Sequence, residues 1–210
     1  MSGEGRLLVI DCATEACSVA LFDGDGTQLG GISEMLGRGH AERLVPMISE
    51  LPDKGRAARI AVDVGPGSFT GIRVGLSAAR ALALAWDAAL EGYESLSLVA
   101  AQARPGRPDG AIDVIMTGGH GEWFFQPFSA EAEPLAPVAS LPPGEVLRRS
   151  RAPWVAGSQA EAVAAARSGA RALPVWPDAR AFVLLAPGSV RADVAPSYGR
   201  APDARLPGGQ

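Results

Sequence analysis

The stretch that most restricts the fold is IAVDVGPGSFTGIRVGLSAARALALAWDAAL, Ile60 to Leu90. An apolar run, Ile60 to Val64, leads into a loop with Gly65, Gly67 and Gly71, and an apolar segment then continues from Thr70 to Leu90. This order predicts a strand, a tight turn and a helix whose first backbone N–H groups lack helical partners and so attract anions. A Walker-type loop places Lys and then Ser or Thr after its last glycine. Here Gly71 is followed by Ile72, so the loop has the form of a phosphate cradle without its lysine. Two readings stand: glycines that let a ligand approach, and glycines that only make a tight turn. Asp11 ends the first apolar strand, where ligands gather in open sheets. With Gly65, Gly67, Ser68 and Thr70 it is a candidate to lie near a nucleotide; a turn-capping role for Asp11 is the alternative.

The helix expected from Thr70 to Leu90 carries Arg73, Arg80 and Asp87 at spacings of seven, close to one stripe, and almost everything else on it is apolar. Such a helix is either buried in the middle of a two-lobed fold or docked on another body. It approaches membrane-spanning length, but its three charges make it a soluble helix. A shorter helix is expected over Ala41 to Leu51, with Leu44, Val45, Ile48 and Leu51 at helical spacing and Pro46 in its first turns. These two helices supply the candidate partner-binding residues His40, Leu44, Ile48, Leu76 and Ala83, together with Asp87 and with Arg73 and Arg80 as rim charges.

Before them, Leu7 to Ile10, Ser18 to Phe22 and Gly30 to Met35 read as an antiparallel meander, with DGDG at Asp23 to Gly26 as a hairpin turn. A strand near Tyr93 closes the first lobe. ARPGRPDG, Ala103 to Gly110, breaks the composition and is the candidate boundary between a lobe at residues 1–104 and a second at 105–210. Beyond it a hairpin is expected from Ala111 to Thr117 and Glu122 to Phe128, then a helix at Gly144 to Ser150, a strand at Trp154 to Ala156 and a helix at Ala160 to Ser168. They form a partial α/β repeat ahead of an irregular tail.

Chemistry is sparse. His40 and His120 are the two histidines, eighty residues apart, and no second His or Cys stands nearby to build a transition-metal site. No nucleophilic triad is readable. Cys12 and Cys17 are the only cysteines, and without a secretory leader at the N-terminus they are expected to be reduced thiols in a cytoplasmic protein. Hydrophobic residues make up 47% and charged ones 20%, with mean hydropathy +0.12, which calls for a large core or a partner that covers apolar surface. A net charge of −4 argues against a chain that grips nucleic acid alone.

LLVIDCATEACSVALFDGDG from Leu7, GRGHAERLVPMI from Gly37, IAVDVGPGSFTGIRVGLSAARALA from Ile60 and PSYGR from Pro196 together resemble the TsaB family, also called YeaZ, a bacterial component of the machinery that makes threonylcarbamoyladenosine in tRNA. The resemblance runs from Leu7 to about Ala101 and is patchy beyond. It implies an α/β, actin-like and Hsp70-like ATPase fold of two lobes, the second reduced. It also implies a non-catalytic scaffold that supports the catalytic paralogue TsaD, with the ATPase TsaE as a further associate. In isolation a second copy of the chain is a candidate partner, with monomer and homodimer both open, and tRNA is reached only through the complex. No cofactor is expected, with ATP or ADP and magnesium considered only at the assembled complex. The alternative is an actin-like nucleotide-binding ATPase or small-molecule kinase built on Asp11 and the glycine loop.

The sequence departs from the family in several places. Asp11-Cys12-Ala13 stands where Asp-Thr-Ser is usual, Thr117-Gly118-Gly119 where Asp-Ala-Arg is usual, and Gly199 where leucine is usual. The segment between Leu51 and Arg59 is also shorter. Loss of the two hydroxyls after Asp11 weakens the case for independent nucleotide hydrolysis.

Overall fold

In the computed structural model, which describes residues 5–106 and 110–199, the meander is β1 (Leu7–Asp11), β2 (Ala16–Phe22) and β3 (Gln28–Met35), paired antiparallel in sequence order. Helix α1 (His40–Glu50) returns the chain to β4 (Arg59–Asp63), which lies parallel to β1. Helix α2 (Phe69–Trp86) crosses to β5 (Ala89–Tyr93), parallel to β4, and helix α3 (Ser95–Ala103) follows. The second sheet is built from β6 (Ile112–Thr117), β7 (Trp123–Phe128) and β8 (Ala139–Leu141), then α4 (Pro143–Arg149), β9 (Trp154–Ala156), α5 (Ala160–Ala166) and β10 (Arg171–Leu173). A last strand, β11 (Val190–Arg191), goes back to the first sheet and pairs with β5.

The sheet orders are β11-β5-β4-β1-β2-β3 and β10-β9-β6-β7-β8. Without β11, each is a three-stranded meander whose first strand receives two further parallel strands, with one helix before each addition. The second sheet is thus a smaller copy of the first, and the expected two-lobed, actin-like α/β architecture is what the chain adopts. Its sheets are apolar on both faces because both are covered. From β1, Leu8 and Ile10 pack under α1 and α2 with Ile72, Leu76 and Ala79, while Leu7 and Val9 pack with Tyr93, Leu98 and Phe182 on the other side.

Several boundaries differ from the sequence reading. Helix α2 stops at Trp86 rather than Leu90: Asp87 takes a left-handed conformation (φ 55°), and the Ala88 N–H closes on the Ala83 carbonyl at 3.0 Å. Ala89 and Leu90 are then drawn into β5, paired with Arg59 and Ile60. Helix α3 has no counterpart in the sequence reading. It is buried on nearly every side, so it carries no polar stripe to mark its period.

The chain from Ala179 onward does not stay with the second sheet. A 3-10 turn, Ala179–Leu184, lies under the first sheet, with the Ala179 N–H donating to Ser18 Oγ at 2.8 Å and Phe182 edge-on to Tyr93 at 5.3 Å. After β11, the Ser197 N–H donates to the Val64 carbonyl at 2.7 Å. Residues 179–198 therefore form a strap that returns from the second sheet and lies along the first. Among the described residues, no helix is long and apolar enough to cross a membrane.

Candidate functional site

The glycine loop joins β4 to α2 and lies directly on the turn after β1. A Cβ at Gly67 would stand 2.0 Å from the Ala13 carbonyl oxygen, and one at Gly71 would stand 2.0 Å from that of Cys12. At Gly65 (φ +99°) it would meet the Ser197 carbonyl at 2.3 Å. These glycines are required by backbone packed on backbone, not by a ligand. Three of the loop's donors are occupied as well: the Ser68 N–H donates to Ala13 O at 2.6 Å, the Gly65 N–H to Asp63 Oδ1 at 2.6 Å and the Gly71 N–H to Ser68 Oγ at 3.3 Å. Ser68 is thus the N-cap of α2. Thr70 is exposed in the first turn of the helix. The residues present do not fit a nucleotide phosphate at this loop.

Asp11 is sealed beneath it. Its Oδ2 accepts from the Tyr93 hydroxyl at 3.1 Å and its Oδ1 from the Ala13 N–H at 3.3 Å. Asp63, at the matching end of the neighbouring parallel strand, accepts at Oδ1 from Gly65 and from Ser95 Oγ at 2.8 Å, while its buried Oδ2 has no hydrogen-bond partner among the described residues. Two carboxyl groups sealed at one site do not both ionise readily. Burial first, and then the charge of Asp63, pushes Asp11 well above the usual carboxylate range, and burial pushes Asp63 up to about 6. The sequence reading missed Asp63, although the signal was present: LLVID and RIAVD are two apolar strands each ending in aspartate. Beside them Cys12 and Cys17 are buried free thiols with their sulfurs 3.5 Å apart. The Cys12 thiol is pushed up, first by its bond to Cys17 and then by burial.

The candidate partner-binding residues separate into two groups. Leu44, Ile48 and Leu76 are buried in the chain's own core beneath α1 and α2, and of the three Leu44 also lines the groove between those helices. Ala83 is half-buried against the same core. His40 is buried, with Nε2 3.4 Å from the Ala16 carbonyl. Arg73 and Arg80 are exposed, yet both hold the strap: Arg73 Nε donates to the Tyr198 hydroxyl and Arg80 Nη2 to the Val194 carbonyl, each at 3.3 Å. Asp87 is the exposed C-cap of α2. An apolar stripe does not reveal which body covers it, and α2 has two.

What α1 and α2 leave open is a groove of about 510 Å³ lined by Ala41, Val45, Phe69, Arg73, Val74 and Ala78, among others. Val45 is 59% exposed, Phe69 53% and Leu84, farther along α2, 87%. Phe69 is held in place by the Arg73 guanidinium 3.6 Å over its ring and by Tyr198 at 5.1 Å. A second, larger cleft of about 730 Å³ lies between the lobes, where Thr14, Ser68 and Thr70 face Thr117 and His120. It brings His40 and His120 to one cavity wall although they are distant in sequence.

Comparison with known proteins places this geometry. The family model for TsaD, tRNA N6-adenosine threonylcarbamoyltransferase, matches residues 26–165. The tRNA threonylcarbamoyladenosine biosynthesis protein TsaB of Escherichia coli (strain K12) is 40% identical over 115 residues, 52% of this chain and 48% of that protein. The protein of the same description from Haemophilus influenzae is 40% identical over 103 residues, 46% of this chain and 42% of that one. The chain spans about half the length of these curated relatives. Among solved structures, YeaZ from Pseudomonas aeruginosa superposes with a TM-score of 0.73 at 26% identity, over 92% of this chain and 99% of that one. With a family model that matches more than half of its length, the chain belongs to the tRNA N6-adenosine threonylcarbamoyltransferase (TsaD) family, and within it to the TsaB (YeaZ) group.

Proposed function

We propose that this chain is a non-catalytic scaffold in the biosynthesis of threonylcarbamoyladenosine on tRNA, which docks onto the catalytic paralogue TsaD through the open groove of α1 and α2. The observation that carries this reading is the pairing of a sealed glycine loop with an unsealed two-helix face. The loop that would serve a nucleotide is filled by the chain's own backbone, whereas Val45, Phe69 and Leu84 remain exposed beside a preformed groove. Large apolar side chains clustered on a surface mark a protein contact. In isolation a second copy of the chain is the natural occupant of the same face, and TsaE joins the assembled pair. On this reading the protein is cytoplasmic, residues 1–104 with the strap that returns at Ala179 form the docking lobe, the rest of residues 105–210 forms the reduced one, and tRNA is held firmly only within the complex.

The test is calorimetric titration of TsaD with the wild-type chain and with Val45→Asp. A carboxylate buried without a partner costs several kcal/mol, on the order of a hundredfold or more in affinity. Lost binding with an unchanged melting temperature supports the groove as the docking face; unchanged affinity removes it. ATP turnover by the isolated chain at ordinary enzyme rates, abolished by Asp11→Ala, would instead favour the ATPase or kinase reading.

A further inference from the structure

Around the first sheet, five arginines are neutralised by carboxylates: Arg6 by Asp53, Arg43 by Glu34 and Glu50, Arg59 by Glu91, Arg180 by Asp178 and Arg191 by Glu94. The end of the second sheet at which β9 and β10 begin gathers five more. Arg148 and Arg149 end α4, Arg151 follows in the loop to β9, and Arg167 and Arg171 bracket the entry to β10. Among the described residues, only Arg149 of these five meets a carboxylate in an ion pair, that of Glu145.

The cluster is held together by one loop. Arg167 Nη2 donates to the Ala152 carbonyl, the Arg171 backbone N–H to the Pro153 carbonyl at 2.9 Å and Arg151 Nη1 to the Ser150 carbonyl at 2.8 Å. That loop is itself clamped: Asp113 Oδ2 on β6, a residue only 3% exposed, accepts from Ser150 Oγ at 2.7 Å, from the Arg151 N–H at 2.8 Å and from the Ala152 N–H at 3.0 Å. The Arg171 guanidinium lies over the half-buried Trp154 ring, 5.1 Å from its centre. The result is a rigid basic ledge with an aromatic face, in a chain whose net charge is −4.

Clustered, uncompensated like charge raises the free energy of the isolated protein and is relieved by a polyanion, which also releases its own condensed counterions. Guanidinium forks match phosphate oxygens two at a time, and an arginine-covered indole is a surface on which an unpaired base can stack. A membrane surface fits less well. None of the exposed large apolar side chains among the described residues lies between residues 143 and 173, so the ledge has nothing to insert among lipid tails.

We propose that the ledge formed by Arg148, Arg149, Arg151, Arg167 and Arg171 is a contact for the phosphate backbone of RNA. That the RNA is the tRNA being modified rests on the function proposed above; that the ledge takes RNA does not. A handful of phosphate contacts gives only non-specific affinity, with Kd on the order of 10⁻⁴ to 10⁻⁶ M. The ledge therefore acts as a second arm that raises the effective concentration of RNA already held by another subunit.

The experiment is fluorescence anisotropy of a labelled tRNA transcript with the isolated full-length chain, at about 50 and 200 mM salt. The wild type is expected to bind in the micromolar range and to weaken steeply with salt. The double reversals Arg151→Glu/Arg171→Glu and Arg148→Glu/Arg149→Glu are each expected to weaken binding about tenfold or more and to lower the salt slope by about two, with melting temperatures and affinity for TsaD unchanged. Two separate pairs keep the test informative if one variant folds poorly. No RNA binding by the wild type at the lower salt, no effect of either reversal, or binding to phosphatidylserine vesicles in place of RNA would overturn the proposal. RNA binding through the ledge without any affinity for TsaD would support the ledge and sink the scaffold reading. Affinity for TsaD without RNA binding would do the reverse.

Discussion

Asp11 and Asp63 are buried carboxyls at the matching ends of two neighbouring parallel strands, and neither group reaches solvent. Both folded pKa values lie above the ordinary value near 4, so folding favours the protonated form. The stabilisation tied to the protonated carboxyls is complete below about pH 4 and is lost as pH rises through about 6 for Asp63 and through the raised range of Asp11. Thermal melts are expected to show lower stability at about pH 8 than at about pH 5. Asp11→Asn, which keeps the shape and removes one of the two titrating groups, should flatten that dependence. An unaltered slope in the variant would assign the dependence to other groups.

Helix α2 offers a direct contrast between core and surface. Leu76 is 2% exposed and Leu84 is 87% exposed on the same helix. Leu76→Ala is expected to cost about 2–5 kcal/mol of stability by chemical denaturation, and Leu84→Ala within about 0.5 kcal/mol. Equal losses would show that the two faces of the helix are not distinguished as described.

The glycine loop separates architecture from ligand binding. At Gly71 a methyl group has no room beside the Cys12 carbonyl, so Gly71→Ala is expected to lower the melting temperature sharply. Gly144, in the first turn of α4, has only the Arg148 head near it at 3.9 Å, and Gly144→Ala should stabilise by up to about 1 kcal/mol. A Gly71→Ala protein with an unchanged melt and a lost affinity for ATP would restore the phosphate-cradle reading.

Cys12 and Cys17 are both buried among the residues that carry α2. Thiol reagents are expected to modify them slowly in the folded protein and to count two thiols after denaturation under rapid acid quench. A linked pair in freshly quenched cells would contradict the reduced state.

Much of the first lobe was legible because its signals are local. Alternation and the DGDG turn mark the meander, and glycine punctuation marks the β4–α2 junction. What was not legible depends on neighbours. The side chains of Leu44, Ile48 and Leu76 face the sheet rather than a partner, and only the packed structure distinguishes an apolar stripe turned inward from one turned outward. Strands β8, β10 and β11 have three residues or fewer and draw their regularity from the strands beside them. Asp63 acquires its meaning only when β4 is laid next to β1. The arginine ledge joins residues from two separated segments, so no single window of sequence displays it.

The strap from Ala179 to Tyr198 ties the late part of the chain to its middle. The chain leaves the first lobe after α3 and comes back through β11, and beyond it Ser197 is bonded to Val64 while Tyr198 lies on Phe69. Phe69 and Arg73, which line the docking groove, are therefore seated by residues that follow both sheets in the chain. The same peptide that completes the first sheet thus keeps the outer helices in register for whatever binds them.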